Sequence, residues 1–106
     1  MKAPPPLTIT KALKFKDVRG LTFTLYVDTA KHIILDHRIY HLEKFVRNTL
    51  LNPCTIIESK YTDKCQLYYA QKKSKKGYRV VVVNIVKYLI KTAYPTKKFK
   101  EGKVIW

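Results

Sequence analysis

Four consecutive valines, Val80–Val83, sit inside the run Tyr78–Ile85 and constrain this chain more than any other feature. A strand that is β-branched on both faces packs protein on both sides, so it belongs at the centre of a sheet. Such a strand needs neighbours, and the sequence after Pro53 supplies them. Cys54–Ser59 reads as a strand, Tyr61–Lys64 as a turn and Cys65–Gln71 as a second strand. A basic turn, Lys72–Gly77, leads into the valine strand, and Tyr88–Tyr94 follows as a fourth, with Pro95 ending the sheet. A turn centred near Thr62 pairs Ser59 with Cys65 and sets Cys54 opposite Ala70. That register keeps the chain's two sulfurs beyond bridging distance, so reduced thiols are expected.

The first half reads differently. Residues 1–6 include three prolines in a row and favour an extended arm. Residues 7–16 alternate weakly, which leaves open a strand or part of a helix. Asp17–Gly20 is a turn, and Leu21–Val27 a strand with Leu21, Phe23, Leu25 and Val27 on one face. Asp28 or Thr29 is the expected helix N-cap. From there apolar residues follow helical spacing to Leu50, as one long helix or as two with a break near Arg38. Asn52-Pro53 stops it, because a residue before proline avoids the α region. The expectation is therefore an N-terminal arm over 1–20 and one α+β domain over 21–106, with one or two N-terminal helices on an antiparallel sheet. A chain of 106 residues has room for one such domain.

Charge narrows the partners. Lys and Arg number 22 against 7 Asp and Glu, a formal charge of +15, on a chain whose 46% apolar share is ordinary for a globular protein. Self-repulsion on this scale is best tolerated when the partner is a polyanion. No segment approaches the ~20 apolar residues of a membrane span. Met1–Pro6 lacks the apolar region of a secretory signal, and two cysteines are too few for a disulfide framework. A reducing, cytoplasmic setting is expected, with no membrane partner.

Proton chemistry near neutral pH rests on three histidines, His32, His37 and His41, all in the helical stretch. His37 and His41 are spaced to share a helix face, but the HExxH glutamate and a third zinc ligand are missing, so no metal or cofactor is expected. Glycine-rich phosphate loops are absent, carboxylates are scattered, and no GxSxG turn exists. A basic protein acting on nucleic acid without metals must use the 2′-hydroxyl of RNA as nucleophile. That requires a general base, a general acid and donors for charge developing on phosphate. Lys91–Pro95 sets Thr92 and Tyr94 on one strand face, with Lys91 and Ala93 on the other. A tight turn at Val86-Lys87 would bring Arg79 opposite Tyr94 and close to Thr92. The turn lysines Lys72, Lys73, Lys75 and Lys76, and Lys97 and Lys98 further on, are candidate phosphate contacts. Tyrosines interleaved with this charge can stack bases, although strand alternation turns about half of them into the core.

The segment Lys31-His32-Ile33-Ile34-Leu35-Asp36-His37, the helix ending Leu51-Asn52-Pro53 and the late Ile90-Lys91-Thr92-Ala93-Tyr94-Pro95 resemble the Barnase–EndoU–colicin–RelE-like nuclease superfamily. The likeness covers roughly residues 21–106 and is greatest to phage- and mobile-element-associated members and colicin D-like toxins. It implies helices on a four-stranded, or slightly larger, antiparallel sheet. It also implies metal-free cleavage of tRNA or mRNA leaving a 2′,3′-cyclic phosphate. Carried onto this sequence, it suggests His32 or His37 as general acid/base, Arg79 and Lys31 as phosphate clamps, and Thr92 with Tyr94 as phosphate donors or stackers. A stand-alone toxin held by a cognate acidic antitoxin or immunity protein is the implied form. Two other readings stay open: a non-catalytic RNA- or DNA-binding module, and a basic interaction protein for an acidic partner.

Overall fold

The valine strand lies at the middle of seven. In the structure, a computed structural model that describes residues 6–7, 9–72 and 77–106, the elements run β1 (Leu13–Lys16), β2 (Thr22–Leu25), α1 (Val27–His37), α2 (Leu42–Leu51), β3 (Thr55–Ser59), β4 (Cys65–Gln71), β5 (Tyr78–Asn84), β6 (Leu89–Thr96) and β7 (Gly102–Val104). They form one sheet in the order β1-β2-β6-β5-β4-β3-β7. The fold is α+β, as expected, but the sheet is larger than four strands and not wholly antiparallel. Two strands precede the helices, one of them from the weakly alternating segment 7–16, and β2 touches β6 in parallel at Thr24–Leu89 alone. The chain's end adds the seventh strand by pairing β7 with β3.

The β3–β4 register is the one the turn near Thr62 predicts: Thr55 faces Tyr69 and Glu58 faces Gln66. Cys54 is exposed, Cys65 is buried, and both are free thiols. The helical stretch is two helices, broken where Arg38 adopts the left-handed conformation at φ 51°. That break separates His37 from His41, which precedes α2, so the two do not share a helix face. The expected caps Asp28 and Thr29 lie inside α1: Tyr26, still extended at ψ 153°, is the N-cap and Asp28 falls in the first turn. There its carboxylate meets the positive end of the helix dipole.

Both helices cover one face of the sheet. Phe23, Leu25, Ile33, Ile34, Leu42, Val46, Leu50, Ile56, Tyr68, Val81, Ile90 and Ala93 close into a single dry core there. It encloses one polar cluster. The Asp17 carboxylate accepts hydrogen bonds from the backbone N–H groups of Arg19 (2.9 Å) and Leu21 (2.7 Å), from the Arg19 guanidinium (3.1 Å) and from the Tyr68 hydroxyl. Arg19 also donates to Gln66 at 2.7 Å and to the Tyr68 oxygen. Burial and the bond to Asp17 push the Tyr68 phenol well above the ordinary tyrosine range, although Arg19 opposes them. The Asp17–Gly20 turn read from sequence is thus fastened into the core by its own carboxylate.

The opposite, outer face carries a smaller apolar set, Ile57, Leu67, Tyr69 and Val80, flanked by Tyr78, Val82 and Tyr94. Residues 97–101 cross it, because β6 and β7 are four strand spacings apart. On a flat sheet that crossing is ~19 Å at ~4.8 Å per spacing, against about 20–22 Å for six fully extended Cα steps. The segment also bends at Lys97, Lys98 and Glu101, so it crosses with little slack, and beside it the outer face is hollowed into a concave surface lined by Lys91, Tyr94 and Lys100. Phe99 anchors the crossing, its ring centroid 4.7 Å from Tyr69 and 4.5 Å from Tyr78. The Lys100 N–H donates to the Tyr69 hydroxyl at 2.8 Å. Of the apolar stretch Val104-Ile105-Trp106, only Ile105 packs against the core; Val104 and Trp106 stay exposed.

Candidate functional site

One extra residue in β6 decides what the concave face presents. Asn84 pairs with Leu89 and Val83 with Ile90, the register of a turn centred on Val86-Lys87. Asn84 holds that turn by accepting from the N–H groups of Val86 and Lys87, both at 2.9 Å. Between Val83 and Val82 the ladder is bulged, and Val82 pairs with Thr92, leaving Lys91 as the inserted residue. A one-residue slip reverses the facing of every later pair. Arg79 therefore stands opposite Pro95, and Tyr94 opposite Val80. The expected meeting of Arg79 with Thr92 and Tyr94 does not occur: Tyr94 packs with the outer apolar set, and Arg79 lines hollows beneath α2. The bulge also turns Lys91 into the same hollow as Thr92 and Tyr94, not onto the face of Ala93. Pro95 does not end the sheet, since β6 runs to Thr96. β2 reaches β6 only at Leu89, so no strand there lacks the N–H that proline cannot give.

That hollow, about 230 Å³, is the one the sequence's chemistry converges on. Leu67, Val82 and the buried thiol of Cys65 form its floor; Lys91, Thr92 and Tyr94 form one wall. Ser59, Tyr61 and Thr62, from the β3–β4 turn, form another, and Lys100 reaches in from the strap. The turn is braced from within, Ser59 Oγ accepting from the N–H of Thr62 at 3.0 Å. It is tied to the strap through Glu101, which accepts from Lys60 Nζ and the Tyr61 hydroxyl, each at 3.3 Å. Next to the Tyr94 wall, though not itself lining the hollow, the exposed imidazole of His37, the last residue of α1, lies 5.5 Å from the Tyr94 ring. Lys100 Nζ sits 5.7 Å from the centre of the same ring. The Tyr94 hydroxyl is buried with no hydrogen-bond partner among the described residues, an unmade bond worth about 1–3 kcal/mol. Tyr69, beside it, is raised above the ordinary tyrosine range by burial, against the pull of the Lys100 N–H.

The remaining sequence candidates scatter. Lys31 and His32 are exposed on α1 and do not line the hollow. His41 lines the cleft that holds Arg79. Lys97 and Lys98 are exposed on the strap, and Lys72 is half-buried where β4 ends. Lys73, Lys75 and Lys76 fall outside the described residues. Sequence reasoning missed Lys91 and Lys100: the bulge that turns one inward and the crossing that carries the other have no local signature. Among the described residues no three His, Cys, Asp or Glu side chains cluster to hold a metal, and no helix is long and apolar enough to cross a membrane.

The hollow thus combines two lysines, the hydroxyls of Ser59, Thr62 and Thr92 and the phenols of Tyr61 and Tyr94 on a cationic surface, with the His37 imidazole just outside it against the Tyr94 ring. Comparison of the chain with models of known families, with curated proteins and with solved structures finds no match.

Proposed function

We propose that this protein is a metal-independent endoribonuclease that binds single-stranded stretches of tRNA or mRNA on the concave face. The observation that carries the reading is the approach of His37 to Tyr94, a wall residue of the hollow that Lys91, Thr92 and Lys100 also line. In it His37 takes the proton of the attacking 2′-hydroxyl, or returns one to the leaving 5′-oxygen, since imidazole alone among these groups exchanges protons near neutral pH. Lys91 and Lys100 supply the positive charge for the phosphorane that the sequence had assigned to Arg79, with Thr92 as a hydroxyl donor. Tyr94 and the exposed Tyr61 offer ring faces to flanking bases. The chemistry needs no outside oxidant or metal: a 2′-oxygen–phosphorus bond forms as the phosphorus–5′-oxygen bond breaks, leaving a 2′,3′-cyclic phosphate and a 5′-hydroxyl. A toxin held by an acidic antitoxin or immunity protein in the cytoplasm fits the net charge of +15.

Arg79's position on the other face favours a second reading, a binding module without catalysis. One experiment separates the two. Purified protein is incubated with total tRNA and mRNA in EDTA and the RNA ends are mapped; cyclic-phosphate ends made by wild type and lost in Thr92→Val with the fold intact support cleavage. Intact RNA that is nevertheless bound with steep salt dependence supports the module.

A further inference from the structure

The helix-covered side has a cationic cleft of its own. Arg79 and Asn48 are shared by two adjoining hollows, of about 270 Å³ toward Tyr40 and Lys44 and about 550 Å³ toward Asn52 and Gln71. None of the chain's acidic side chains lines either one. Arg79 is half-buried and has no ion pair among the described residues. Its Nε–H is buried with no hydrogen-bond partner. An arginine held this way leaves a charged donor unspent, and a guanidinium recovers it by turning its fork onto an oxyanion. Beside that charge stand three carboxamides, Asn48, Asn52 and Gln71, groups that pair with the donor–acceptor edges of nucleobases. The ring of Tyr40, exposed at the cleft's edge, offers a stacking surface.

We infer that this cleft is a second nucleotide-binding site, with Arg79 taking a phosphate and the carboxamides a base edge. It lies on the opposite side of the sheet from the hollow of the proposed nuclease and stands without that reading. An RNA holding both sites would have to pass around an edge of the sheet.

Cys54 makes the inference directly testable. It lines the larger hollow and is exposed, whereas Cys65 is buried, so alkylation by iodoacetamide reports on this cleft alone. The probe is uridine or adenosine 5′-monophosphate, with a glutamate-rich peptide as the competing anion. At a nucleotide concentration ten times its dissociation constant, Cys54 should be alkylated about tenfold more slowly. The protection should persist in Lys91→Ala and vanish in Arg79→Gln. Asn52→Ala, at an exposed position, should weaken it and serves if Arg79→Gln fails to fold. An unchanged rate with both nucleotides, equal protection in folded Arg79→Gln, or protection by the peptide but not by a nucleotide would each overturn the inference.

Discussion

The two faces of this sheet are built to different ends. Over the helix-covered core the packing is continuous: apolar side chains surround one polar cluster, each oxygen of Asp17 has donors, and an unpartnered donor, the Arg79 Nε–H, appears only in the cleft at its margin. On the concave side a small apolar set is bridged by five residues of strap, and the Tyr94 hydroxyl is left without a partner. Polar groups serve stability where they are satisfied internally and recognition where they are not. The satisfied cluster explains why the chain folds despite its charge, and the unsatisfied groups, Tyr94 on the outer face and Arg79 at the margin of the helix side, mark where so basic a chain can hold an anion.

The sharpest way to break this contrast is at the satisfied cluster. Asp17→Ala strips the Tyr68 hydroxyl, the Arg19 guanidinium and two backbone N–H groups of their acceptor together. The expected loss is about 3–5 kcal/mol in urea unfolding, and a loss under 1 kcal/mol would make the cluster incidental. The same cluster predicts an alkaline limit. The Tyr68 phenol is raised in the folded state relative to the ordinary value of 10.0, so the native protein holds a proton that the unfolded chain releases. Its stabilising share is complete below about pH 10 and drains away as pH climbs toward the folded-state value. Unfolding midpoints should fall above pH 10, and Tyr68→Phe should flatten that part of the decline.

Smaller effects are expected on the concave side. Phe99→Ala removes the strap's ring contacts with Tyr69 and Tyr78, for a loss of about 1–2 kcal/mol. Hydrogen exchange should show faster opening at the Lys100 N–H with little change in the helices. Smallest for folding is Lys91→Ala, an exposed side chain whose removal should leave the unfolding midpoint within error. Its mark is instead on binding: the slope of log affinity for RNA against log salt should shrink by about 1. An unaltered slope would take Lys91 out of the RNA contact.

The contrast also accounts for what was legible beforehand. Valines on both faces of β5 announced a central strand, Asn52-Pro53 announced the end of the helices, and the turn near Thr62 fixed the β3–β4 register. Each of these signals lies within a few residues of its consequence. β7 and the strap depend on where the chain's end lands in space, and Val104-Ile105-Trp106 reads as merely apolar. The site suffered most from a single residue. The turn at Val86-Lys87 sets the first two β5–β6 pairs as expected, and then the bulge at Lys91 exchanges Arg79 for Lys91 as the cation near Thr92. Alternation rules carry a register forward only as far as the first bulge. His37 was legible as a residue type with useful chemistry, but its choice over His32 needed the fold.

Those two imidazoles provide the most direct test of the concave face as the working face. Both are exposed on α1, and His37 but not His32 lies against the ring of Tyr94, a wall residue of the hollow. With RNA cleavage followed in EDTA, His37→Ala should cut the rate by about 10²–10⁴-fold, the usual worth of a general acid or base, and His32→Ala should leave it nearly unchanged. Equal losses from the two, or a loss from His32→Ala alone, would contradict the account.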